Sequence, residues 1–172
     1  MVLDIQPVIC SIKSMNPEQA IWADGLIFLV VMIPIVVADV KYQKIPDRYT
    51  LTGFVLILFR RLLFDRPVDL RYLLYALLGF TFIWLFRHLS RKKIGLGDAK
   101  LSGLIALLLG IPGWIISLLF ASLTGIAYGL TGSALGRFRT SERIPFAPFL
   151  ALGTVTGFTF NLLFGMMDYG LS

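Results

Sequence analysis

The sequence predicts an all-α integral membrane protein, a polytopic bundle of about six transmembrane helices, and three observations carry that prediction. The 172 residues have a mean hydropathy of +0.81. Apolar types make up 57% and charged types only 15%, where a soluble domain has roughly 25% charged. The cations sit in short clusters between apolar runs, the arrangement of a chain whose solvent is the bilayer. A water-soluble globule is excluded. Disorder is excluded too, because it needs low hydrophobicity and high charge, and the chain has 14 Phe, 6 Tyr and 3 Trp. The net charge of +6 does not imply a nucleic-acid partner, since no basic stripe lies on a soluble surface long enough to follow phosphates.

Residues 1–20 are read as an extracytoplasmic N-terminal segment and 21–172 as one six-span membrane domain. Asp4, Pro7 and Lys13 interrupt any continuous apolar stretch of a cleavable signal peptide, so insertion is expected to begin with the first span, 21–38. The second, 50–64, is the least apolar. Only 11 uncharged residues separate Arg48 from Arg60, so Arg60 and Arg61 are expected to snorkel. The third is 72–86. Between Lys100 and Arg137 lie 36 uncharged residues, about 54 Å as helix and too long for one crossing of a ~30 Å hydrocarbon core. Ile111-Pro112-Gly113 is expected to break this run into the fourth and fifth spans, and 148–167 is the sixth.

With the N-terminus outside, 11 Lys and Arg face the cytoplasm, Lys44 and Lys92 among them. Five (Lys13, Arg60, Arg61, Arg66 and Arg71) lie outside. Glycines four apart at Gly125 and Gly129, Gly132 and Gly136, and Gly153 and Gly157 are expected to let helices approach closely within the bundle. Homo-oligomerisation through one of these faces is the alternative.

A carboxylate within a span costs roughly 2.5–3.5 kcal/mol, so each needs a reason. Asp24 is read as a boundary residue reached by headgroup water. Asp39 follows the apolar run 25–38 and precedes Lys41, Lys44 and Pro46, which places it at the cytoplasmic end of the first helix. Asp98 lies in Ile94-Gly95-Leu96-Gly97-Asp98-Ala99-Lys100, where the fourth span begins on the same side. Gly95 and Gly97 permit positive φ and the close approach of a substrate backbone. Two carboxylates at one site cannot both ionise cheaply, so one keeps a proton while the other serves as base. The base activates water against an amide carbonyl, and the acid polarises that carbonyl and helps the amine leave. The helix-end field favours Asp39 as the proton holder.

Neither step needs a metal or cofactor, and none is expected: Cys10 is alone, and His88 has no second ligand nearby and is read as a solvated loop residue. Ser141 has no partner base. Lys100 follows Asp98 by two positions, a spacing that does not bring the side chains together on a helix.

Asp39 with Lys44-Ile45-Pro46-Asp47, then Gly95-Leu96-Gly97-Asp98-Ala99-Lys100, then the segment from Ile144-Pro145-Phe146-Ala147-Pro148 to Gly153 resemble the aspartic type IV prepilin peptidases, or GxGD membrane proteases, in order and spacing. The resemblance implies an endopeptidase of the cytoplasmic (inner) membrane that removes a short basic leader from prepilin-like membrane precursors of type IV pili and protein secretion, with its catalytic face toward the cytoplasm. It implies Asp39 and Asp98 as the catalytic pair, with Ile45, Pro46, Gly95, Gly97 and Lys100 along the substrate's approach. Asp47 stands where the family commonly has Asn, and Ala147 where Gly is usual. Paired CxxC motifs, associated with methylation of the new N-terminus, do not occur in this sequence, so a peptidase-only short form is expected. The rival readings are a transporter or secretion-channel subunit, in which Asp39 and Asp98 pair with arginines or relay protons, and a GxGD protease acting on other membrane proteins.

Overall fold

The computed structural model describes residues 17–43, 45–64, 70–90, 95–136 and 145–164, and every regular element among them is a helix. They are α1 (Pro17–Tyr42), α2 (Asp47–Phe64), α3 (Arg71–Leu89), α4 (Leu96–Ala134) and α5 (Ala147–Phe164). All but α2 are long and apolar enough to cross a membrane. Leu26, Val30, Ile33, Leu77 and Leu123 are exposed, as side chains solvated by lipid are. This is a multi-pass membrane protein. The expectations for residues 1–16, Lys44, Arg66, Lys92 and Ser141 lie outside the described residues.

α4 is two helices joined by a reversal. Gly110 has φ +70° and ψ −177°, a backbone geometry that a residue without Cβ adopts freely. Beyond it the chain folds back, because Trp114 Nε1 donates to Ser102 Oγ at 2.8 Å, whereas twelve residues of straight helix span about 18 Å. The break expected at Ile111-Pro112-Gly113 therefore falls one residue earlier. Pro112 has no N–H to give to the Leu108 carbonyl four residues back. Other helices serve the carbonyls at this end: Arg61 Nη2 donates to Leu108 O at 3.1 Å and Asn161 Nδ2 to Leu109 O at 2.7 Å. The first arm, 96–109, is buried continuously from Leu101 and forms the centre of the bundle. α3 and α5 pack most extensively against α4, and α1 lies against α2 and α5. Within the described residues the six expected apolar segments all fall on helix, the sixth as far as Phe164, and α2 is the one whose charges keep it short of a membrane span by composition.

Two expectations about charge are overturned. Asp24 is 0% exposed rather than at a wet boundary, and Arg60 and Arg61 are only 5% and 6% exposed rather than snorkelling. Arg60 Nη2 donates to Asp24 Oδ2 at 2.9 Å, and Arg61 Nη2 lies 3.8 Å from the same oxygen. The Arg61 guanidinium also stacks 3.6 Å from the centre of the Tyr72 ring. The reason is geometric. With α2 against α1, the carboxylate and the Leu108 carbonyl offer both guanidiniums partners inside the bundle, so neither has to reach for the headgroups.

Gly153 and Gly157 back directly onto the return arm, 111–134. A Cβ on Gly153 would overlap the Ser117 carbonyl oxygen, and one on Gly157 the Gly113 carbonyl oxygen. Gly125 is different, its nearest neighbour being Phe146 at 3.6 Å, and Gly136 takes φ +66° where α4 ends. Gly153→Ala is therefore expected to destabilise the bundle by about 1–3 kcal/mol, while Gly125→Ala stays near neutral. Unfolding temperatures of the two variants in detergent micelles check this, and equal values would contradict it.

Candidate active site

Asp39 lies in the last turn of α1. The helix ends just beyond it, with Gln43 at φ +50° donating its N–H to the Asp39 carbonyl at 2.8 Å. The Asp39 side chain is buried, and its Oδ2 accepts the Ala147 N–H at 2.9 Å. Ala147 is the first residue of α5, and first-turn N–H groups have no acceptor within their own helix. The carboxylate supplies one. Asp98 occupies the first turn of α4, where its Oδ2 accepts the Gly95 N–H at 3.2 Å. Each carboxylate thus meets a helix N-terminus. The expected contrast between a helix C-terminus at Asp39 and an N-terminus at Asp98 does not separate the two, because Asp39 ends one helix and caps another.

Both carboxylates line one cavity of about 810 Å³, shared with Ile45, Pro46, Gly95 and Gly97. Tyr42, Gln43, Asp47 and Arg48 complete its polar side. The two sequence segments interlock at Gly97, where a Cβ would come within 2.7 Å of Ile45 Cβ. Glycine at this position lets the Ile45-Pro46 turn lie flat against the start of α4. A Cβ on Gly95 would come within 2.9 Å of Asp98 Oδ2, so glycine there leaves the carboxylate uncovered.

Lys100 does not line this cavity. Its Nζ lies 2.7 Å from Asp47 Oδ2, and among the described residues it makes no ion pair with Asp98, in line with the two-residue spacing. Asp47, marked in the sequence only as a departure from a family pattern, holds that lysine and forms part of the wall. Ala147, the other departure, is fully buried, and what reaches Asp39 is its backbone, a group that every residue except proline carries. His88 lies in the last turn of α3 rather than in a loop, its ring 4.4 Å from that of Trp84. No group of three or more His, Cys, Asp or Glu gathers among the described residues.

The arrangement holds two carboxylates on one cavity wall beside Ile45-Pro46 and Gly95, while the space at Gly97, expected to admit a substrate backbone, is taken by Ile45. The model of the type IV leader peptidase family matches residues 26–130. The chain is 28% identical over 139 residues to a prepilin leader peptidase/N-methyltransferase of Bacillus subtilis, covering 80% of this chain and 55% of that protein. It is 30% identical over 154 residues to one from Pectobacterium carotovorum, covering 84% and 53%, and 31% identical over 160 residues to one from Dickeya chrysanthemi, covering 84% and 55%. The chain spans about half the length of the curated relatives it matches. No solved structure matches it significantly.

Proposed function

Because the chain belongs to the type IV leader peptidase family, we propose that it is a membrane aspartic endopeptidase that removes the short basic leader from prepilin-like precursors at the cytoplasmic face of the inner membrane. The observation that carries this reading is the single cavity onto which Asp39 and Asp98 both open, with Ile45-Pro46 and Gly95-Gly97 around them.

In the proposed reaction the ionised carboxylate takes a proton from water as the water oxygen bonds to the scissile carbonyl carbon. The protonated carboxyl gives its proton to the carbonyl oxygen, so the tetrahedral intermediate forms without a free oxyanion. On collapse the C–N bond breaks and the C=O re-forms: the proton gained from water goes to the departing amine, and one hydroxyl of the intermediate returns its proton to the carboxylate that had given one. The Ala147 and Gly95 N–H groups hold the two carboxyls in place throughout.

The charges around the cavity support the assigned face. Lys41, Arg48, Arg87 and Lys100 lie at helix ends on the side of Asp39 and Asp98. Arg60 and Arg61, which weakened the charge count as outer-loop cations, are inside the bundle with Asp24. The transporter reading asked for arginines on Asp39 and Asp98 or a proton relay through them, and the structure bears on the first of these. Among the described residues, the buried arginines meet Asp24 instead.

Co-expression with a substrate bearing a basic N-terminus, a glycine and then an apolar helix of about 20 residues tests the reading. Loss of the leader is expected, and an uncleaved precursor beside a correctly inserted enzyme would overturn it. Chelators are expected to leave cleavage intact, because two carboxylates and water suffice. Activity lost to a chelator and restored by zinc would contradict the mechanism.

A further inference from the structure

A second cavity, of about 690 Å³, opens on the other side of Asp98. Asp98 and Gly95 line both cavities, so the two meet at the carboxylate, and glycine at the junction puts no side chain between them. Their chemistry differs. The first mixes Asp39, Gln43, Asp47 and Arg48 with Ile45, Pro46 and Leu96, while the second is dominated by Phe82, Phe86, Trp114, Ile115 and Leu119.

The second cavity is a groove between α3 and the return arm of α4, with the first arm as its floor. The Phe82 and Trp114 rings meet edge to face at 5.5 Å, and Phe82 and Phe86 lie 5.0 Å apart, giving an aromatic wall. The polar groups of the floor are already used: Ser102 Oγ accepts from Trp114 Nε1 at 2.8 Å and donates to Gly79 O at 3.0 Å. An apolar guest therefore strands no buried donor there. Phe82, Phe86, Ile115 and Leu119 are also exposed on the flank of the bundle, so the groove opens sideways toward lipid.

We propose that this groove receives the apolar segment on the carboxyl side of the scissile bond, entering from the bilayer, and that Phe82, Phe86 and Trp114 are specificity-determining residues for the first apolar side chain after the cut. The proposal rests on the leader-peptidase reading. A peptide drawn past Asp98 lies with its polar leader against Gln43, Asp47 and Arg48 and its apolar portion against the aromatic wall, so the polarity step at Asp98 sets both the direction of the chain and the bond presented. Another apolar groove, of about 930 Å³, runs between α2 and α3. It reaches Asp47 and Lys100 but neither Asp39 nor Asp98, which makes it the rival path.

The test uses the full chain in phospholipid vesicles, in a Cys10→Ser background, with a prepilin-like reporter carrying one cysteine two residues before or after the scissile bond. Ile115→Cys marks the proposed groove and Leu74→Cys the rival one. Both positions are exposed, so neither substitution disturbs the core. Oxidative cross-linking is expected to join position 115 to the cysteine after the cut and not to the one before it. Cross-links from position 74, or from 115 to the leader, would overturn the proposal.

Ile115→Trp, which fills the groove from its exposed rim, and Phe82→Ala, which opens it, supply the second arm. In each, the ratio of cleavage rates for reporters with Phe or Ala directly after the cut should change by roughly tenfold or more. An unchanged ratio in both, with the parent chain cleaving normally, would overturn the groove alone. A parent chain that cleaves neither reporter would overturn the leader-peptidase reading and the groove with it.

Discussion

Asp39→Asn and Asp98→Asn are each expected to abolish leader removal while the protein still inserts and accumulates. The substitution keeps shape and one acceptor oxygen, so the hydrogen bonds from the Ala147 and Gly95 N–H groups survive. What disappears is the ability to take or give a proton. A positioned acid or base is worth about 10²–10⁴-fold in rate, and the proposed mechanism needs both at once. Co-expressed precursor should remain full length on an immunoblot, with enzyme levels equal to those of the parent chain. Normal processing by either variant would remove that residue from the mechanism.

The second large effect is expected at Asp24, on stability rather than chemistry. About 15 residues of helix, roughly 22 Å, separate it from Asp39, so Asp24 belongs to the opposite end of the bundle. There it is the buried counter-charge of Arg60. Removing one partner of a buried pair leaves the other uncompensated, which costs about 3–5 kcal/mol. Asp24→Asn should therefore lower the unfolding temperature in detergent and the steady-state level in cells. Asp24→Leu combined with Arg60→Leu should be less damaging than Asp24→Leu alone, because only Arg61, which keeps the Leu108 carbonyl, then lacks the carboxylate. An Asp24→Asn protein as stable as its parent would show that the pair contributes nothing.

What the sequence revealed and what it hid divide along a physical line. The helices and the reversal near Pro112 were legible because hydropathy and proline chemistry act locally. Asp39 and Asp98 were legible because a carboxylate at the end of a span is rare enough to ask for a reason. The Asp24–Arg60 contact was not. Its partners are 36 residues apart, and for a charge near a helix end the water at the headgroups is always the simpler partner to assume. Nor could the Ala147 N–H be found on Asp39, since a backbone donor leaves no trace in residue identity. The aromatic wall of Phe82, Phe86 and Trp114 stayed hidden for another reason: in a membrane protein, residues that face lipid and residues that line a groove are equally apolar, so hydropathy offers no contrast between them.

The reversal at Gly110 also bears on how the chain is made. The first arm of α4 has 14 residues, 96–109, and begins with Asp98 and Lys100. As helix it measures about 21 Å, well short of the ~30 Å hydrocarbon thickness, and in the finished protein it is enclosed by its neighbours rather than by lipid. Emerging from the ribosome it has none of those neighbours to its C-terminal side. Too short to cross alone, it is expected to settle across the bilayer only with the return arm, the two partitioning as one hairpin. Topology reporters fused near residue 110 would then record a translation intermediate, and only fusions beyond Ala134 would record the orientation of the mature protein.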